Sequence, residues 1–274
     1  MQVVEEFLEG RNKDQSLCED GIFVSNDFIA IIDGATAKSK VQYGGKSSGR
    51  VAMEKVKAAI GTIPANATAY EAVEVVTKYI ADWYKSIRKY EHLKANSVER
   101  PTASTIIYSK NKKELWCVGD CHALVDNEYI NNDKLIDKVM MEARSLYLQT
   151  EILKGKTVEE LCEKDTGWDF IFPLLERQGM FQNREEYTEF NYGVFDGFSV
   201  PKSLIRVVKI PNAKFVVMAS DGYPKLYNIL EEAEKHLKKV LKEDPLCFTS
   251  NKSFKPYNSS FNSFDDRSFI SIKV

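Results

Sequence analysis

Apolar and polar positions alternate along this chain in two ways. Short runs rich in Val, Ile and Phe predict strands at GIFVSN (21–26), FIAIID (28–33), STIIYSK (104–110) and ELWCVGD (114–120). HALVDN (122–127), SLIRVVKI (203–210), KFVVMASD (214–221) and SFISIKV (268–274) read the same way. Short polar turns separate several of them, namely 25–27, 110–113 and 211–213, and predict antiparallel hairpins.

Helical spacing fills the intervals. GGKSSGRVAMEKVKAAIG places Val51, Val56 and Ile60 on one face and ends at Gly61. TAYEAVEVVTKYIADWYKSIRKY opens with Thr68 and Glu71 in a capping-box pattern, then spaces Val73, Val76, Ile80 and Trp83 by threes and fours. Two further helices are predicted, DKLIDKVMMEARSLYLQTEILKG and NILEEAEKHLKKVLKEDP, the second stopped by Pro245. Strands and helices do not alternate singly, so a doubly wound parallel sheet does not fit. The expectation is an α+β fold in which antiparallel sheets are covered by pairs of helices, forming one domain with a helical insertion at about 133–190.

Composition narrows the class. The 274 residues are 43% hydrophobic, with 38 basic and 40 acidic side chains and a net charge of -2. That balance gives no electrostatic case for nucleic acid. No apolar run approaches the roughly 20 residues of a spanning helix. The first residues, MQVVEEFLEG, are acidic where a secretory leader needs a basic start. Five cysteines (18, 117, 121, 162, 247) without regular spacing predict buried free thiols rather than a disulfide framework or a zinc site at Cys117 and Cys121. The expectation is a cytoplasmic monomer that binds neither membrane nor nucleic acid.

Against this background the acids at strand ends stand out. FIAIID runs without a polar break into Asp33-Gly34. ELWCVGD ends in Asp120, and KFVVMASD ends in Asp221-Gly222. Asp265 and Asp266 precede the last strand, and Glu19 and Asp20 precede the first predicted one. One such Asp reads as a turn residue. Five acidic sites converging at the rim of a core would repel one another and lose hydration. A divalent cation relieves both effects, and an all-oxygen set selects a hard ion, Mg²⁺ or Mn²⁺.

The order of these pieces resembles the PP2C (PPM) family of metal-dependent protein serine/threonine phosphatases. They read Glu19-Asp20, IAIIDG, PTAST, CVGDCHALV, VVMASDG and DDRSFISI, in order from residue 19 to 274. Each piece is weakly diagnostic alone; six in sequence are more specific. With the departures described below, the resemblance implies a distant, bacterial-type branch. The resemblance implies an αββα sandwich with two antiparallel sheets and a two-metal centre at one end. It implies that Asp33 bridges two Mg²⁺ or Mn²⁺ ions, that the Gly34 carbonyl binds one of them, and that Asp221 and Asp265 complete the other. Asp265 is preferred to Asp266 because it stands three residues before Ser268. Glu19 and Asp20 would surround the metals, Asp20 through a water. Asp120 would hold a third ion together with Asp221. The implied chemistry is attack on a phosphoserine or phosphothreonine monoester by a water between the two cations, with no nucleophilic side chain.

Three places depart from the family pattern. The arginine expected four or five residues before the acidic pair is absent, Gln15 standing four before Glu19; Arg11 is the candidate phosphate ligand instead, with Lys13 beside it. ATAKSK replaces a glycine-rich stretch after Gly34. YGVFDGFSV (192–200) stands where a further ligand segment is expected, with Asp196 as its remnant. His122 is a candidate proton donor beside Asp120. YGGKSSGR (43–50) lacks the leading glycine of a P-loop, and Gly44, Gly45 and Ser47 read as a helix start. These departures leave two alternatives to a protein phosphatase. One is a catalytically weak or inactive module of the same fold, used for binding or regulation. The other is a hydrolase of small phosphorylated metabolites.

Overall fold

A computed structural model describes all 274 residues. Ten strands form two five-stranded antiparallel sheets. The first contains β2 (Asp20–Val24), β3 (Phe28–Gly34), β4 (Ala103–Ser109), β5 (Glu114–Val118) and β8 (Arg206–Lys209), in that order. The second is ordered β1 (Gln2–Glu9), β10 (Arg267–Lys273), β9 (Phe215–Ala219), β6 (His122–Val125) and β7 (Glu128–Ile130).

The unbroken apolar run of β3 follows from its position between two layers. Phe28, Ala30 and Ile32 face α1 (Ser48–Ile60) and α2 (Ala69–Ser86) in the largest core cluster, which includes Val51, Val56, Val73, Val76 and Ile80. Ile29 and Ile31 point the other way. They join Ile106, Leu115, Val216, Met218, Ile270 and Ile272 between the sheets. A strand covered on both faces has no solvent side on which to place polar residues. The far face of the second sheet is covered by α7 (Leu230–Glu243), through Ala233, Leu237 and Leu241 on Val217, Ala219 and Phe269. The layers are therefore α, β, β, α.

The Ser47 hydroxyl caps α1, and the capping box of Thr68 and Glu71 starts α2, both at the expected residues. Tyr43 and Lys46 pair across a turn in which Gly44 and Gly45 adopt positive φ, so YGGKSSGR is a turn leading into a cap. One expected hairpin does not form. SLIRVVKI and KFVVMASD lie in different sheets, β8 pairing with β5 and β9 with β10 and β6. Ile210 and Ala213 turn into the inter-sheet core, and the chain crosses from one sheet to the other there. The edge strand β1 was not foreseen. Its doublets Val3-Val4 and Phe7-Leu8, split by Glu5-Glu6, show no period of two.

Between β7 and β8 come α4 (Leu135–Leu153), α5 (Val158–Glu163) and α6 (Thr166–Arg177). α4 is tied to the segment before β10 by Arg144, which is fully buried. Arg144 donates to the carbonyls of Leu246 (3.1 Å), Cys247 (3.0 Å) and Ser253 (2.8 Å), and pairs with Asp165 at 2.8 Å. A short helix, α3 (Tyr90–Ala95), follows α2. All five cysteines are free. No helix is long and apolar enough to cross a membrane.

Candidate functional site

Strand alternation carries the inter-sheet face to its open end. On β2 the inward face passes from Ile22 to Asp20, and on β3 from Ile31 to Asp33. Asp20 and Asp33 are directly paired across the two strands, an arrangement in which like charges destabilise a sheet. From the second sheet the same face of β10 ends in Ser268, whose hydroxyl donates to Asp20 Oδ2 at 2.8 Å. Asp120, Asp221 and Asp265 arrive on the loops after β5, after β9 and before β10. The acids at the strand ends therefore reach one end of the sandwich.

The glycines of the two Asp-Gly pairs serve close approach. A Cβ on Gly34 would lie 2.3 Å from the Gly49 carbonyl oxygen at the start of α1, and 2.7 Å from that of Glu19. A Cβ on Gly222 would lie 1.9 Å from the Asp266 carbonyl oxygen. Both glycines let backbones carrying site residues touch.

The acids divide by their partners. Asp33 and Asp221 take no hydrogen bond or ion pair from another side chain. Burial, then Asp221 and Asp20, push Asp33 well above the usual carboxylate range. Asp221 is pushed up to about 7 by the protein packed around it, then by Asp120 and Asp265. Asp20 is raised by burial and by Asp266. Glu19 rises to about 7 through burial, although it accepts a hydrogen bond from Ser47 at 2.5 Å.

Asp120 and Asp265 are instead met by ammonium groups. Lys134, at the start of α4, lies 2.7 Å from Asp120 and 3.5 Å from Asp137. Burial opposes ionisation of Asp120, but Lys134 overcomes it and holds the carboxyl low. Lys255 bonds Asp265 at 2.8 Å and the Thr36 hydroxyl at 2.9 Å. A third lysine, Lys38, stands nearby, its pKa lowered to about 8 by burial and then by Lys255. These lysines were not singled out in the sequence. They lie in loops and at a helix start, where no periodicity marks them, although Lys38 lies within the divergent ATAKSK segment.

Four other expected residues are engaged elsewhere. Asp266 accepts the backbone N–H groups of Arg11 and Glu19, each at 2.6 Å, and so braces the loop beside the site while Asp265 faces the cleft. Arg11 lays its guanidinium over Phe261 at 3.9 Å and donates to the Pro256 carbonyl at 3.2 Å. His122 is buried with both ring nitrogens used. Nε2–H donates to the Ser220 carbonyl at 2.7 Å, so Nδ1 accepts from the Tyr129 hydroxyl at 2.6 Å. Burial lowers its pKa, and this neutral ring has no free proton to give. Asp196 is taken up by Arg100 (2.9 Å), Gln182 (2.6 Å), Asn183 (2.9 Å) and the Phe198 N–H (3.0 Å). It is a structural hub rather than part of the acid ring.

The cleft over the acids has a volume of about 490 Å³ and is lined by Asp120, His122, Asp221, Tyr223, Phe254 and Asp265. A smaller recess of about 80 Å³ shares Asp120, Lys134, Asp221 and Asp265 with it and adds Asp33, Lys38 and Lys255. In chemistry the acids fit a hard divalent cation. They are oxygen donors, two of them have no side-chain partner, and their pKa values are raised first by burial and then by mutual repulsion, both of which a cation would offset. In the present arrangement no three of them are gathered tightly enough to enclose an ion.

This architecture, with its acids at the open end of two stacked antiparallel sheets, is the PP2C-type fold. The serine/threonine phosphatase Stp1 from Staphylococcus aureus superposes on all of this chain and 96% of its own, at a TM-score of 0.50 and 12% identity. The serine/threonine phosphatase PstP/Ppp of Mycobacterium tuberculosis covers 100% of this chain and 99% of its own, at a TM-score of 0.48 and 15% identity. A PstP catalytic domain in complex with two manganese ions gives 0.48 and 14% over 99% of both chains. At these identities the likeness is one of fold. No protein-family model matches the sequence, and no curated protein matches it significantly.

Proposed function

We propose that the protein is a metal-dependent phosphatase acting on phosphoserine or phosphothreonine monoesters. One observation carries the reading: Asp33 and Asp221 converge without side-chain partners at the open end of a PP2C-type sandwich, where a divalent cation would offset their burial and repulsion. Asp33, Asp221, Asp265 and the Gly34 carbonyl would hold Mg²⁺ or Mn²⁺, with Asp20 and Glu19 around them. Two such ions, when bound, supply Lewis acidity, acidifying a water and offsetting charge on phosphoryl oxygens.

The chain's own residues set the geometry. The strand rigidity of β3 fixes Asp33. Ser268 orients Asp20, and Asp266 ties the loops bearing Arg11 and Glu19 to the start of β10. Asp265 must share its carboxylate with Lys255, whose ammonium leaves one oxygen for a cation. Asp120 is met by both Lys134 and the Ser104 side chain and is left out of the proposed ligand set.

Hydrolysis of p-nitrophenyl phosphate with Mn²⁺ tests the assignment. Metal-dependent turnover that disappears in Asp33→Asn and Asp221→Asn is expected. Failure of the wild type to turn over with either metal would overturn it. In that event the two lysines already paired with Asp120 and Asp265 favour a second reading, a binding module of the same fold in which internal cations stand where ions are needed for chemistry.

A further inference from the structure

Three ammonium groups line the recess beneath the acids, and they are not equivalent. Lys134 is committed to Asp120 and Asp137, and Lys255 to Asp265. Lys38 makes one hydrogen bond, from Nζ to the Thr36 carbonyl at 3.0 Å, and no ion pair. It borders the same recess as Asp33, Asp221 and Asp265. Its Nζ lies 5.4 Å from the centre of the Trp168 ring, so α6 holds it in place from the other side. An ammonium carries three N–H donors and no acceptor. Two donors of Lys38 are therefore uncommitted in a partly buried recess, free to take the oxygens of a bound anion.

We propose that Lys38 anchors the phosphoryl group of the substrate, donating to its non-bridging oxygens, with Lys255 contributing field beside it. This rests on reading the cleft as a phosphate-monoester site. The segment that carries Lys38 is ATAKSK, the stretch that departs from the family pattern after Gly34. Arg11, the residue expected to bind phosphate, is held against Phe261 and Pro256. The anion-binding charge has thus moved from the segment before β2 to the one after β3. A lysine meets phosphate as a compact charge rather than as a planar fork, so it fixes distance more than orientation.

The test uses Lys38→Met and Lys38→Arg in the full chain, with Lys40→Met on the exposed part of the same loop as a charge control. Inorganic phosphate is titrated calorimetrically into each protein in Mg²⁺, and thermal melting confirms folding. Lys38→Met should weaken phosphate binding roughly 10- to 100-fold, Lys38→Arg should recover part of it, and Lys40→Met should leave it unchanged. In the p-nitrophenyl phosphate assay Lys38→Met should raise KM and the phosphate inhibition constant by similar factors. Equal phosphate affinity in wild type and folded Lys38→Met, or no binding by wild type, would overturn the assignment. Wild-type turnover with an unchanged Lys38→Met would remove the anchor and leave the phosphatase reading intact. Lys38-dependent phosphate binding without turnover would do the reverse.

Discussion

Two kinds of carboxylate meet at the open end of the sandwich. Asp20 and Asp33 are delivered by strands, stand directly opposite each other on β2 and β3, and have pKa values raised by burial and repulsion. Asp120 and Asp265 are delivered by loops and each meets a lysine brought from elsewhere in the chain, Lys134 from the start of α4 and Lys255 from the segment before β10. The strand acids store repulsion that an added cation would release. The loop acids have had it released internally. The same residue type at the same end of the fold is therefore set for different work, and the division can be probed one side at a time.

The largest effect should come from the strand side. Asp33→Asn should lower kcat/KM on p-nitrophenyl phosphate by about 10³-fold, or about 4 kcal/mol. In EDTA the same variant should melt no lower than wild type, because it removes a repelling charge. Lys255→Met, which strips a partner from Asp265, should melt lower. If both variants lost metal-free stability equally, the two kinds of acid would not differ.

Next comes the support of the loop side. Arg144 uses all its donors on Asp165 and on the carbonyls of Leu246, Cys247 and Ser253. It anchors the segment that leads to Lys255. Arg144→Met would leave those carbonyls and Asp165 without it, and should cost about 3–5 kcal/mol in urea unfolding. A loss below about 1 kcal/mol would mean that the segment holds itself in place.

A smaller effect follows from pH. Asp221 and Glu19 titrate near 7 in the folded chain, against 3.8 and 4.5 when unperturbed. Between those values the folded state holds protons that the unfolded chain has released. Stability of the metal-free protein should therefore fall as pH rises from about 4 to 7. Asp120, held low by Lys134, changes stability only in more acid solution, where its protonation costs stability. Melting in EDTA should be a few degrees higher at pH 5 than at pH 7.5, and the gain on adding Mn²⁺ should be larger at pH 7.5. A flat profile would show that the acids are better solvated than their burial implies.

Much of the sandwich was legible because its signals are local. The Thr68 capping box, the stripes of α1 and α2, and the two-sided apolar run of β3 each lie within a dozen residues. The acids at strand ends were legible because the strands carry them to the rim. What the acids touch was not. Lys134 meets Asp120 across 14 positions, Lys255 meets Thr36 across 219, and Arg144 reaches Ser253 across 109. Such pairs are set by how α4 to α6 and the loops fold back on the sheets, and no periodicity records that. The same blindness affected β8 and β9, whose short polar link looks like a hairpin turn but crosses between sheets. His122 and Arg11 had suitable chemistry in suitable places. Only the structure shows that Ser220 and Tyr129 occupy the first, and Phe261 and Pro256 the second.

The smallest expected effect is the one that separates the two kinds of acid most directly. Lys134→Met leaves Asp120 and Asp137 facing each other without the ammonium between them. Asp120 then comes closer to the strand acids: a carboxylate at the rim, opposed by burial, with no ammonium beside it. It should become able to hold a cation. Direct Mn²⁺ titration followed by electron paramagnetic resonance should show weak additional binding in the variant, with little change at the tighter sites, and the metal-free protein should lose roughly 1–3 kcal/mol. Asn at position 120 in the same background should remove the added binding. If Lys134→Met binds no further Mn²⁺, Asp120 is kept from cations by its geometry, and the lysine is a consequence of that geometry rather than its cause.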